Sequence, residues 1–246
     1  MTSVSIILPV FNGEKFIKKA IESVLNQTYP NIEYTIVDGL STDDTVAVAQ
    51  SYEEAFRQKG YSFRIISEKD NGIYDAMNKG IRMASGELVG MINSDDWYEP
   101  IAVETAVAAY QEDPYDLFYA DINLVRSDGT VIVKRSRLDR FPSSRHWNHP
   151  TTFITKKAYD EVGLYRCETL YDDFDLILRM RRAGKKVSIK NVILANFRTG
   201  GVSNEKSVKK CIGRIQARYK YYRNNGYSPL YMIECVAMEV AKFILS

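Results

Sequence analysis

The sequence predicts an α/β fold: a Rossmann-like, mostly parallel central sheet flanked by helices, with a helical tail at the C-terminus. Three observations lead there. Short apolar runs rich in β-branched residues alternate with segments of helical apolar spacing through the first hundred residues. Each run is followed by a cluster of acids and amides. Beyond residue 206 a basic stretch leads into an amphipathic helical pattern.

Taken in order, Val4–Val10 reads as a buried strand. Residues 13–27 follow as a helix, with Phe16, Ile17, Ala20, Ile21, Val24 and Leu25 on one face. Strands are expected at 32–37, 63–67 and 87–92, and helices at 42–59 and 74–84. Such alternation implies right-handed βαβ units and a parallel sheet, in which ligands sit beyond the carboxyl ends of the strands. The residues at those ends are Phe11-Asn12, Asp38-Gly39, Glu68-Lys69-Asp70-Asn71 and Asn93-Ser94-Asp95-Asp96. One such cluster is an ordinary cap or turn; four in succession point to a binding edge.

After residue 100 the pattern changes. A helix at 100–111 opens with Pro100, and strands at 117–125 and 130–134 form a hairpin around Ser127-Asp128-Gly129. An irregular stretch at 141–148 precedes a strand at 151–155 and a short helix at 156–162. A further helix at 173–183 ends at Gly184.

Composition narrows the function. The 246 residues are 45% hydrophobic and 26% charged, which is ordinary for a globular protein and excludes disorder as the main state. A net charge of +2 supplies no global basic field, so nucleic acid is not an expected partner. Three widely spaced cysteines, Cys167, Cys211 and Cys235, make neither a disulfide framework nor a C-x-x-C site, which suits a reducing cytosol. The N-terminus MTSVSIILPVFNGEKF reads as a strand and not as a signal peptide, and no run of 18 apolar residues suggests a transmembrane helix.

The sharpest chemical signal is Asn93-Ser94-Asp95-Asp96. Adjacent carboxylates repel each other unless a cation or donor groups stabilise them. Alternation along an extended segment turns the two apart, so that one can hold a hydroxyl and the other a hard divalent cation such as Mg²⁺ or Mn²⁺.

With these residues in view, the chain resembles the family 2 glycosyltransferases of the GT-A fold, of the kind that build bacterial cell-surface polysaccharides. The matching pieces are VSIILPVFN at 4–12, VDGLSTDDT at 37–45, DNGIYDAMNKGI at 70–81, ASGELV at 84–89, NSDD at 93–96 and YDDFDLILR at 171–179. The resemblance implies a nucleotide-sugar donor, with uridine the usual base, and a saccharide or lipid-linked acceptor. Pro9, Phe11 and Asn12 would line the base pocket, Asp38 would bond the base, and Asn71 and Asn78 would lie against the nucleotide. Asp95 would bind ribose, Asp96 would ligate Mn²⁺ or Mg²⁺, and Arg198 would pair with the diphosphate from the Gly200-Gly201 loop. Asp173 would be the general base for inverting, single-sugar transfer, since the Q-x-x-R-W signature of processive members is absent. His149 and Asp172 are candidates for acceptor or phosphate contact, against ordinary roles as a structural histidine and a helix cap.

The division expected is a catalytic domain at 1–205, made of a nucleotide half (1–97) and an acceptor half (98–205), and a tail at 206–246. Within the tail, residues 206–223 hold seven basic residues and no acid. In the following helix Glu234, Glu239 and Lys242 share one side, with Met232, Ile233, Val236, Val240, Phe243 and Ile244 opposite. The expectation is a final helix packed on the domain or in a homodimer. Docking on the inner face of the cytoplasmic membrane is the alternative. A sugar nucleotidyltransferase is disfavoured because its N-terminal glycine-rich signature is absent, and a non-catalytic nucleotide-sugar-binding protein is disfavoured by the intact acids.

Overall fold

The computed structural model describes residues 1–200 and 208–245. Its organising strand is β1 (Val4–Val10), buried at every position, as a strand covered on both faces of a parallel sheet must be. Alternation splits its side chains between two core layers. Val4, Ile6, Leu8 and Val10 pack with Ile17, Ala20, Ile21 and Val24 of α1 (Ile17–Leu25). Ile7 packs on the other face with Met77 and Ile81 of α4 (Ile73–Met83). Gly80 permits that second contact, because a Cβ there would overlap the Ile7 side chain.

β2 (Ile32–Asp38), β3 (Ser62–Ser67) and β4 (Leu88–Met91) all run parallel to β1. The chain beyond β4 adds β5 (Trp97–Tyr98), α5 (Ala102–Glu112), β6 (Leu117–Val125), β7 (Val131–Lys134), β8 (Phe153–Thr155), α6 (Lys156–Val162), α7 (Asp172–Arg182) and β9 (Val187–Arg198). One sheet results, in the order β3-β2-β1-β4-β8-β6-β9-β5, with β7 paired to β6. β8 joins antiparallel to β4 and β6, while β9 runs parallel to β6.

Three features differ from the sequence expectation. The helix expected at 42–59 is broken into α2 (Thr45–Gln50) and α3 (Glu53–Lys59), with Tyr52 between them held by Glu22 of α1 at 2.8 Å. β9 has no counterpart in the expectation. Its register shifts opposite Ala120, Asp121 and Ile122, and such a bulge breaks the period-2 alternation by which strands are recognised.

The third difference concerns α9 (Tyr231–Leu245), which packs on α8 (Val208–Asn224). Its inward side carries two carboxylates beside Tyr231 and the buried Cys235. Glu239 is 1% exposed and meets Arg214 at 2.8 Å and Arg218 at 3.4 Å, and Glu234 accepts from Ser143 and Tyr222. Ile233, Val236 and Val240 are left exposed, at 69%, 41% and 50%. The helix therefore lies on the domain with Glu234 and Glu239 inward, Glu239 paired with two arginines, and with Ile233, Val236 and Val240 outward. No helix among the described residues is long and apolar enough to cross a membrane.

Candidate active site

The carboxyl ends of β1 to β4 converge on one edge, and hydrogen bonds tie their loops together. Asn12 adopts a left-handed φ of 50°. Its N–H donates to Ser41 and its Oδ1 accepts from the Thr42 N–H, both at 2.8 Å. Gly13 donates to the Thr45 hydroxyl at 2.8 Å. Gly39 admits the close approach of Asp70, whose carboxylate a Cβ would meet at 2.5 Å. Phe11 stands 62% exposed at the edge, and Asn71, also exposed, bonds Asp75.

After β4 the chain turns through Asn93-Ser94-Asp95-Asp96. Asp96 is fully buried, its Oδ1 accepting the Arg198 N–H at 3.0 Å and its Oδ2 meeting Asn93 Nδ2 at 3.4 Å. Burial first, then the neighbouring Asp95 charge, pushes its pKa well up. Asp95 is only partly buried, and its pKa is raised by burial, with the Arg198 charge acting the other way. Arg198 lies over the rings of Phe16 at 4.8 Å and Trp97 at 5.6 Å, while its Nε is buried without a partner among the described residues. Asn93 Oδ1 is likewise buried and unpartnered.

β9 carries this corner into a cavity of about 210 Å³. Phe197, next to Arg198, lines it, together with Lys134, Trp147, His149, Tyr171 and Asp173. Asp173 stands at the start of α7, accepting the Phe174 N–H at 2.7 Å. Burial raises its pKa, and His149, the Phe174 N–H and the Tyr74 hydroxyl oppose that rise. His149 is held below its usual pKa by burial, which favours the neutral ring.

Comparison with known proteins fits this geometry. The family model "Glycosyl transferase family 2" matches residues 5–170. The chain belongs to that family. It is a glycosyltransferase whose sequence is similar to the PGL/p-HBAD biosynthesis glycosyltransferase of Mycobacterium bovis (strain BCG / Pasteur 1173P2), at 28% identity over 216 residues, 86% of this chain and 83% of that one. It is 38% identical over 110 residues to chondroitin synthase of Escherichia coli, a match spanning 45% of this chain but 16% of that protein. Among solved structures, S. aureus TarS 1–349 in complex with UDP-GlcNAc aligns with a TM-score of 0.69 at 17% identity, covering 99% of this chain and 73% of that one. The mannosyltransferase PcManGT of Pyrobaculum calidifontis, in complex with GDP-Man and Mn²⁺, aligns at 0.67 and 15% identity, covering 100% and 70%. The fold is GT-A.

Set on this glycosyltransferase, the expected site residues separate into those that face the cleft and those that build it. Phe11, Asn12, Asn71, Asp95 and Arg198 stand at the strand-end edge, and His149 and Asp173 share the cavity. Four further expected residues are held inside the fold by its own contacts. Pro9 is buried inside β1 opposite Val37. Asp38 is fully buried, and its oxygens accept from Ser41 and Ser67, which fixes the exit of β2. Asn78 bonds both the N–H and the carbonyl of Tyr165, so its amide is a strut under the 165–170 loop. Asp172 accepts from the Glu168 and Thr169 N–H groups and from the Tyr221 hydroxyl, tying α7 to α8.

The neighbouring Asp175 is likewise buried and bonded to Arg179, Arg166 and Asn225. Of the three acids in the first turn of α7, only Asp173 lines the cavity. The enzyme's sequence did not announce Lys134, Asn148 or Tyr74 beside it. Lys134 ends a hairpin strand, where an outward lysine is ordinary, and no local motif marks it. Of the Gly200-Gly201 loop, Gly201 to Ser203 lie outside the described residues.

Proposed function

We propose that this glycosyltransferase moves a single sugar from a nucleotide-diphosphate sugar, with UDP the expected carrier, to a hydroxyl of a glycan or lipid-linked saccharide, with inversion, in bacterial surface-polysaccharide synthesis at the cytoplasmic side of the membrane. One observation carries the reading. Asp173, the single α7 acid open to a cavity, is joined through Phe197 and Arg198 of β9 to the carboxylate pair at the end of β4. Phe197 and Arg198, adjacent on β9, thus put the cavity that Asp173 lines next to the carboxylate corner.

The donor set fits a hard divalent cation. Asp95 and Asp96 have raised pKa values, and Asn93 Oδ1 has no partner among the described residues. Among those residues no cluster of three or more acids, histidines or cysteines could hold a metal alone, so the diphosphate would complete its ligands. When bound, such a cation neutralises charge on the departing diphosphate. We assign cation contact to Asp95, the more exposed of the pair, and a supporting role to Asp96, whose oxygens hold Asn93 and the start of the Arg198 loop. Arg198, stacked on Phe16 and Trp97, is placed to pair with phosphate oxygens. Asp173 takes the proton of the attacking hydroxyl, and burial, which raises its pKa, strengthens it as a base. His149, beside it, orients the acceptor or the base.

The similarity to proteins solved with UDP-GlcNAc and with GDP-Man supports a nucleotide-sugar donor. A thermal-shift screen of UDP- and GDP-sugars, with and without Mn²⁺, tests the reading. A donor at 100 times its Kd stabilises the fold by about 2.7 kcal/mol, or several degrees. No shift with any nucleotide sugar and Mn²⁺ would remove it.

A further inference from the structure

The cavity around Asp173 holds two polar groups that sugar transfer alone does not use. Lys134, at the end of β7, lines it, and its ammonium donates to the Trp147 carbonyl at 2.9 Å. That carbonyl is its one hydrogen-bond partner among the described residues, and no carboxylate, Asp173 included, lies within ion-pair reach of it there. Burial lowers its pKa to about 8, with the Asp173 charge opposing. A cation removed from water without a counter-ion is costly, and the cost disappears when an anion arrives.

Asn148 supplies the second group. It is 1% exposed and lines the same cavity. Its Nδ2 is held by Ala120 O, Ser136 Oγ and Lys134 O at 2.9, 2.8 and 3.3 Å, which fixes the amide's orientation. Its Oδ1 has no partner among the described residues. A fixed, buried acceptor of this kind calls for a donor from a ligand. Trp147, Phe174 and Phe197 complete the wall with apolar faces suited to the C–H face of a sugar ring.

We propose that this cavity is an acceptor subsite for an acidic saccharide: the anionic group of the sugar pairs with Lys134, a hydroxyl donates to Asn148 Oδ1, and the hydroxyl to be glycosylated faces Asp173. The proposal rests on Asp173 being the base of the transferase. It selects acceptors bearing a carboxylate or a phosphate over neutral ones.

Trp147 provides a reporter that needs no turnover. The full chain is titrated with glucuronate, glucose 1-phosphate and glucose at constant ionic strength, following tryptophan emission, with Trp147→Phe identifying the signal. At least one of the two acidic sugars binds at least tenfold more tightly than glucose, and which one does so tells carboxylate from phosphate. In Lys134→Gln that preference falls to within twofold, while Lys134→Arg keeps it. Equal binding of acidic and neutral sugars by the parent, no response to any of them, or a preference that survives Lys134→Gln would overturn the proposal. The parent comparison decides the matter even if Lys134→Gln fails to fold. Calorimetry of UDP with Mn²⁺ on the same sample separates the two readings: normal UDP binding without acid preference removes this inference alone.

Discussion

At the strand-end edge, the residues assigned to the donor lie within a few positions of the ends of β1, β3 and β4, with Arg198 from β9 closing the corner. In the cavity, Lys134, His149 and Asp173 come from a hairpin strand, a short 3-10 turn and a helix start. The difference follows from topology. Parallel βαβ units bring every carboxyl end to the same edge, so short polar clusters after apolar runs mark the site locally. Beyond β4 parallel and antiparallel pairings mix and the connections are irregular, so the chemistry there exists only once tertiary packing brings distant residues together.

The largest effect should come from the cavity. Asp173→Asn keeps the shape and the Phe174 N–H contact but cannot take a proton, so transfer should fall by about 10²–10⁴-fold, measured by product formation at saturating donor. Because burial raises the Asp173 pKa, the acid limb of transfer in the parent should lie above the ordinary carboxylate range, with the rate rising as the base deprotonates. A rate within a few-fold of the parent in Asp173→Asn would break the division between the two ends, since Asp172 and Asp175 are both buried and bonded elsewhere.

At the other end, Asp95→Asn should weaken Mn²⁺-dependent UDP binding by at least about tenfold, the equivalent of about 1.4 kcal/mol, read by calorimetry. Asp96→Asn should differ in kind. The folded-state pKa of Asp96 is raised, so its ionisation costs stability as pH rises through the window from the unfolded to the folded value. Asparagine removes that cost and keeps an acceptor for the Arg198 N–H. The metal-free variant should therefore melt about 2–4 °C higher at neutral pH, corresponding to about 1 kcal/mol for a chain of this size. A lower melting temperature would show that the carboxylate's charge stabilises this corner.

The smallest effect on the fold is expected from the tail. Ile233, Val236 and Val240 face outward, so their joint replacement by Ser should leave the thermal transition within about 2 °C. If this face docks on anionic lipid, the same variant should no longer sediment with anionic vesicles, and salt should weaken the parent's binding. Aggregation or loss of the transition would place the face in a packed interface.

The fold was largely legible because β1 through β4 are short, mostly apolar segments rich in β-branched residues and bounded by polar clusters. β9 was not, because its bulge breaks the alternation. Asp95 and Asp173, singled out by their motifs, lie at the strand-end edge and in the cavity, where the proposed roles need them. The inward turn of Asp38, Asn78 and Asp172 was not legible, because a polar residue in a motif has the same letter whether it meets ligand or loop. The inward side of α9 was not legible either, for a related reason. Glu239 is buried against Arg214 and Arg218, partners that no helical wheel of α9 alone contains.

The central claim is that leaving-group binding and proton removal reside at separate ends of one cleft. It is tested most directly by calorimetry of UDP with Mn²⁺ on three proteins: the parent, Asp95→Asn and Asp173→Asn. The account predicts that Asp173→Asn binds UDP within twofold of the parent while Asp95→Asn loses at least tenfold. Equal loss in both variants, or loss in Asp173→Asn alone, would contradict it.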